Sequence, residues 1–164
     1  DDSESRGLGD VYKRQERMNI TMINSSISGD TTIGGLSRIG NVLKEYKPEY
    51  VLIELGGNDA LRGYPLNQIK TNLLKIVDAS LESKAKPLIM QIKIPPNYGK
   101  RYVEAFENIY LEISNEKDIP LLTFLLEKVA LDQSLMQPDG IHPNEKAQPI
   151  IVEQIKLELL EIIK

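Results

Sequence analysis

The sequence predicts an α/β protein built as a three-layer α/β/α sandwich around a parallel sheet. Two observations carry this. Short apolar runs alternate along the chain with longer segments whose apolar residues recur every three or four positions, the pattern of strands alternating with amphipathic helices. The strand candidates are also nearly continuous in apolar residues, as expected for strands buried on both faces.

The elements follow in order. Residues 20–27 (Ile-Thr-Met-Ile-Asn-Ser-Ser-Ile) are rich in β-formers and read as a strand. Ser28-Gly29-Asp30-Thr31 is a turn and helix-cap signal. Residues 32–46 read as a helix through Ile33, Leu36, Ile39, Val42 and Leu43, stopped by Lys47-Pro48. Residues 50–55 form an apolar strand interrupted only by Glu54, and Gly56-Gly57-Asn58-Asp59 ends it as a loop. A helix follows over 66–83 through Ile69, Leu73, Ile76, Val77 and Leu81. The next strand covers 87–94 and gives way to a rigid loop at 95–99. Residues 101–117 form a helix with Val103, Phe106, Ile109, Tyr110 and Ile113 on one face. A short strand at 120–124, a short helix at 125–130 and a last helix with Pro143 in its first turn, ending near Ile163, complete the reading.

The bulk properties narrow the function. One domain is the simplest organisation for 164 residues. The formal net charge of −4 lacks the basic face that nucleic-acid binding needs. With no cysteine, thiol nucleophiles and zinc–thiolate sites are excluded. No apolar run approaches the roughly 20 residues of a membrane span. Residues 1–15 are set apart as a non-native tail, because Asp10-Val11-Tyr12-Lys13-Arg14-Gln15 matches the translated end of a transposase-type sequencing adaptor. Residues 16–164 are then a partial domain.

The chemistry gathers in three loops. The only histidine, His142, lies in Asp139-Gly140-Ile141-His142-Pro143. An aspartate three residues away can hold one ring nitrogen and leave the other to take a proton. No third ligand is spaced near the pair, so a metal is not expected. The other two loops, at Gly29 and Asn58, follow strand candidates, and open parallel sheets bind ligands at strand carboxyl ends. A backbone N–H, a side-chain amide and an acid-oriented imidazole are the groups acyl transfer requires. Each also has a plainer reading: Gly29 as a turn former, Asp30 or Thr31 as a cap, Asn58 as a left-handed turn residue, Asp59 as a cap or loop brace.

Residues 24–31, 51–63, 87–102 and 136–149 together resemble the SGNH (GDSL-type) hydrolases, especially the thioesterase I, lysophospholipase and arylesterase branch. The resemblance implies a flavodoxin-like parallel sheet, with Gly29 and Asn58 as oxyanion-hole donors, His142 as general base and Asp139 as its orienting partner. It implies hydrolysis of acyl esters or thioesters (lysophospholipid, acyl-CoA or aryl ester) through an acyl-enzyme, without cofactor or metal. A monomer acting on small molecules is expected, without stable membrane insertion and with periplasmic or exported residence.

The family's nucleophile block, Gly-Asp-Ser, has no counterpart. Gly9-Asp10 is followed by Val11, and the 18 residues from 11 to 28 are too few for the roughly 30-residue strand–helix–strand unit that should precede Gly29. Ser25, Ser26 and Ser28 belong to the second block. The expectation is a chain lacking the first central strand, the first helix and the nucleophile, hence inactive and poorly stable, with a non-catalytic binding domain of the same fold as the alternative. Nucleotide binding is disfavoured because no phosphate-cradling glycine loop follows the first strand candidate. Tyr64, Pro95, Pro96 and Tyr98 are expected as apolar walls of the acyl site, and Arg62 as a contact for a phosphate or coenzyme A head group.

Overall fold

The computed structural model describes residues 20–140 and 142–163. The expected tail, with Gly9-Asp10, lies outside them. The chain divides into two compact units, Gly29–Phe124 and Asp1–Ser28 with Leu125–Lys164.

Gly29–Phe124 holds the sheet. Three parallel strands, β1 (Tyr50–Ile53), β2 (Lys86–Met90) and β3 (Leu121–Leu122), lie in that order. Tyr50 to Ile53 align with Lys86 to Ile89, while Ile89 and Met90 align with Leu121 and Leu122. Helix α1 (Thr32–Tyr46) precedes β1, and the short α2 (Gly57–Leu61) follows it. Helices α3 (Leu66–Glu82) and α4 (Lys100–Lys117) make the two crossovers between parallel neighbours. Helix α1 packs on α3, and both α3 and α4 pack on β2.

The apolar periodicity becomes one core. Ile53 and Ile89 from the sheet meet Ile69, Leu73, Ile76 and Val77 of α3 and Phe106, Ile109, Tyr110 and Ile113 of α4. Side chains on a strand alternate between faces, so Leu88 and Met90 point away from this cluster, yet each is only 2% exposed. Both faces of β2 are therefore covered. Leu52 differs: it is 37% exposed although its register partner Leu88 is buried. Among the described residues β1 has a neighbour on one side only.

Tyr110 ties α4 to the end of β1. Its ring packs edge-on against Phe106, 5.4 Å between centroids, and its hydroxyl donates 2.8 Å to the Leu55 carbonyl. That approach needs Gly56, which sits at φ +112°, where a Cβ would lie 2.5 Å from the hydroxyl.

Several elements depart from the sequence reading. Residues 20–27 form no strand, because no ladder partner lies beside them among the described residues, and a lone β-rich segment does not make a strand. The Gly-Gly-Asn-Asp run is not a loop: Gly57 begins α2, and the left-handed residue is Gly56 rather than Asn58. The expected helix at 125–130 is a series of turns with one four-residue bond, Ala130 N–H to the Leu126 carbonyl at 2.7 Å, too few to propagate a helix. Pro143 does not start the last helix. It pairs with Met136 in an isolated antiparallel bridge, and α5 (Gln148–Ile162) starts beyond it with Pro149 in its first turn. Strand β2 starts one residue earlier than expected and stops at Met90, and β3 is shorter than expected at both ends.

Burial, reinforced by the Asp59 and Glu54 charges, pushes the Tyr110 hydroxyl well above its ordinary value of 10.0. The fold holds the neutral form, so this contribution is complete below pH 10.0 and declines as pH rises further. Tyr110→Phe is expected to lower stability at pH 7 by about 1–3 kcal/mol, through the unpaired Leu55 carbonyl. It should also flatten the alkaline loss. Urea unfolding of both proteins at pH 7 and above pH 10 checks both effects.

Candidate active site

Segment 136–144 is a tight, locally bonded loop. The Gln137 N–H donates to the His142 carbonyl at 2.7 Å, and the Gly140 N–H to the Gln137 carbonyl at 2.9 Å. Asn144 braces its base, its amide donating 2.8 Å to the Ser134 carbonyl and 3.2 Å to the Met136 carbonyl. Gly140 takes φ +68°, which closes the turn. Within this frame the Asp139 carboxylate holds His142 twice. One oxygen accepts the His142 backbone N–H at 3.0 Å, and the other lies 2.6 Å from ring Nδ1. A carboxylate at Nδ1 selects the tautomer with the proton there and leaves Nε2 as the acceptor. The imidazole stays about one-third exposed.

In the other unit, the turn before α1 and the segment after β1 bond to each other. Gly29 sits at φ +72°, and its N–H has no acceptor among the described residues. The Asn58 amide donates 3.0 Å to the Asp30 carbonyl, and Arg62 Nη2 donates 3.2 Å to the Gly29 carbonyl. Asp59, 1% exposed, receives the Thr32 backbone N–H at 2.9 Å and the Thr32 hydroxyl at 2.5 Å. Asn72 of α3 donates 3.0 Å to that hydroxyl oxygen. Thr31 is the N-cap, accepting from the Gly34 N–H at 3.5 Å, whereas Asp30 instead pairs with Arg38 and takes the Thr31 N–H at 2.9 Å.

The structure thus brings Gly29, Asn58 and Arg62 together, and separately His142 and Asp139. Arg62, expected to face a ligand head group, has one guanidinium nitrogen on the Gly29 carbonyl. Tyr64 is half-buried against the core, and its N–H donates 3.0 Å to the Asp59 carbonyl. Pro95 is half-buried, while Pro96 and Tyr98 are exposed on a short 3₁₀ turn. Two partners escape sequence reading. Asn72 lies 40 residues from Thr32, and nothing in a helical polar position marks it. Tyr102 donates to the carbonyls of Tyr64 at 3.1 Å and Ala60 at 3.3 Å; burial, then the Asp59 and Tyr98 charges, raise its hydroxyl. Among the described residues no three His, Asp or Glu side chains gather as a metal site.

The parallel sheet, with this glycine turn and asparagine amide on one unit and an Asp–His pair on the other, defines an α/β protein of the SGNH hydrolase fold. Residues 3–149 match the model of the GDSL-like lipase/acylhydrolase family, and the chain belongs to that family. It is 46% identical over 143 residues to thioesterase 1/protease 1/lysophospholipase L1 of Escherichia coli, covering 87% of this chain and 69% of that protein. It is 45% identical over 142 residues to an arylesterase of Vibrio mimicus, covering 87% and 71%. The crystal structure of the psychrotrophic esterase EstA from a Pseudoalteromonas species, inhibited by monoethylphosphonate, superposes with a TM-score of 0.91 at 38% identity, covering 95% of this chain and 86% of that one. These relatives are hydrolases acting on ester bonds.

A Cβ on Gly29 would meet nothing within 4 Å, so any cost of substitution there is conformational. Gly29→Ala is expected to lose about 1–2 kcal/mol from the left-handed backbone alone. Gly29→Asn should lose less, since asparagine visits that region more readily. Chemical unfolding of the two variants checks the order.

Proposed function

We propose that this fold hydrolyses acyl esters or thioesters of small molecules, of the lysophospholipid, acyl-CoA or aryl ester class. The observation that carries the reading is the Asp139 carboxylate on Nδ1 of the only histidine, which frees Nε2 as a base. In this scheme a serine oxygen attacks the acyl carbonyl carbon as its proton passes to His142 Nε2. The Gly29 N–H and one Asn58 N–H stabilise the charge on the carbonyl oxygen. The imidazolium then protonates the leaving alcohol or thiol, leaving an acyl-serine; water, deprotonated by His142, attacks its carbonyl, the acyl–oxygen bond breaks, and the imidazolium returns the proton to the serine oxygen as the acid leaves. Arg62, Tyr64, Pro95, Pro96 and Tyr98 remain the proposed surroundings of the substrate. Periplasmic or exported residence and a monomeric state belong to the same proposal; among the described residues no helix is long and apolar enough to cross a membrane.

The 164 residues contain no Gly-Asp-Ser. We therefore propose that this chain by itself turns over esters near background, limited to water activated by His142.

A panel of p-nitrophenyl butyrate, a lysophospholipid and an acyl-CoA tests both points. The expected result for the chain as it stands is near-background hydrolysis and no covalent fluorophosphonate adduct. Rapid turnover lost in His142→Ala, with an adduct on Ser25, Ser26 or Ser28, would overturn the nucleophile argument. Joining a Gly-Asp-Ser strand–helix segment ahead of residue 16 should restore ester hydrolysis that falls roughly 10³-fold or more in His142→Ala. A folded but inert joined protein counts against the reaction class.

A further inference from the structure

We propose that the buried Thr32–Asp59–Asn72 cluster is a positioning device that sets the Gly29 N–H and the Asn58 amide relative to each other. The inference rests on the reading of those two groups as donors to one oxyanion. Gly29 lies three residues before Thr32, and Asn58 lies next to Asp59. The Thr32–Asp59 contact spans 27 residues of chain and is the buried join between the two segments. Thr32 is 0% exposed, Asp59 1% and Asn72 8%. Hydrogen bonds run in one direction, from the Asn72 amide to the Thr32 hydroxyl and on to the Asp59 carboxylate, so each polarises the next.

This join has a consequence for Asn58. A carboxamide has two N–H donors. One is held on the Asp30 carbonyl at 3.0 Å, which removes the freedom of the amide to flip and aims the second N–H in a defined direction. Oxyanion donors act only when they lie within about 2.7–3.1 Å of the developing charge. A misplacement of about 1 Å can cost on the order of 100-fold in rate. Asp59, Thr32 and Asn72 are positioning residues, acting through Gly29 and Asn58.

The test uses the 164-residue chain, labelled with ¹⁵N, and reads two signals that a purely stabilising role would leave in place. In Thr32→Val, checked for native secondary structure by circular dichroism, the Asn58 side-chain N–H protons should exchange about tenfold faster, the scale of one lost hydrogen bond. The Gly29 amide resonance should move as well. Thr32→Ser keeps the hydroxyl and should restore both signals. If Thr32→Val does not fold, Asn72→Ala, which leaves both Asp59 bonds in place, should show a smaller change in the same direction. Wild-type exchange and an unmoved Gly29 resonance in a folded Thr32→Val protein overturn the proposal. Titration with butyrate, whose carboxylate oxygen stands in for the oxyanion, separates the two layers. Shifts at Gly29 and Asn58 that need about tenfold more butyrate in Thr32→Val support the proposal in its full form. A wild-type protein indifferent to butyrate, with Asn58 still freed in Thr32→Val, supports the positioning and removes the acyl-site reading.

Discussion

The Asp59 carboxylate against the first N–H of α1 is the contact on which the arrangement of the Gly29–Phe124 unit depends. A helix N-terminus leaves backbone donors without intrahelical partners and carries partial positive charge. Burying that end demands an acceptor, and burying a carboxylate demands donors. Thr32 and Asp59 meet both demands at once. The neighbouring glycines show how close the approach is. A Cβ on Gly35 would lie 2.3 Å from Leu55 Cδ1, and one on Gly34 would collide with the Asp30 carboxylate. Helix α1 comes this close to Leu55 because Gly35 carries no side chain there.

Two tyrosines brace the Asp59 segment from the other side. Burial does most to raise the Tyr110 and Tyr102 hydroxyls, and the Asp59 charge adds to it in both. Their hydroxyls donate to carbonyls of the segment that carries Asn58 and Asp59: Tyr110 to Leu55, Tyr102 to Ala60 and Tyr64. The segment from Leu55 to Tyr64 is held by its carbonyls from one side and by the α1 turn from the other. A short helix of five residues has little stability of its own. Its geometry is imposed by these neighbours.

How much of this the sequence reveals depends on the range over which each feature is encoded. Helix α1 is legible to the residue, because Thr31 caps it, Lys47 takes a left-handed conformation and Pro48 ends it, all local signals. The same holds for the Asp139–His142 pair, whose bonds close over three residues. Features that need a distant partner are not legible. Residues 20–27 have strand composition but no strand, since pairing is a property of two segments. Gly56-Gly57-Asn58-Asp59 has the composition of a loop and becomes the start of a helix through bonds made elsewhere. Arg62 suggests an exposed anion contact, and only the folded turn shows the Gly29 carbonyl beside it.

The two clusters are therefore encoded differently, and they should fail differently. Asp139 and His142 pair within one short loop whose hydrogen bonds close over a few residues. The Gly29 turn and the Asn58 segment meet through the Asn58–Asp30 and Arg62–Gly29 bonds and through a buried network that a threonine, an aspartate and an asparagine share. A polar network satisfied throughout is rigid, and one missing a member leaves a buried charge or donor uncompensated. Loss of one network member therefore costs stability in the Gly29–Phe124 unit.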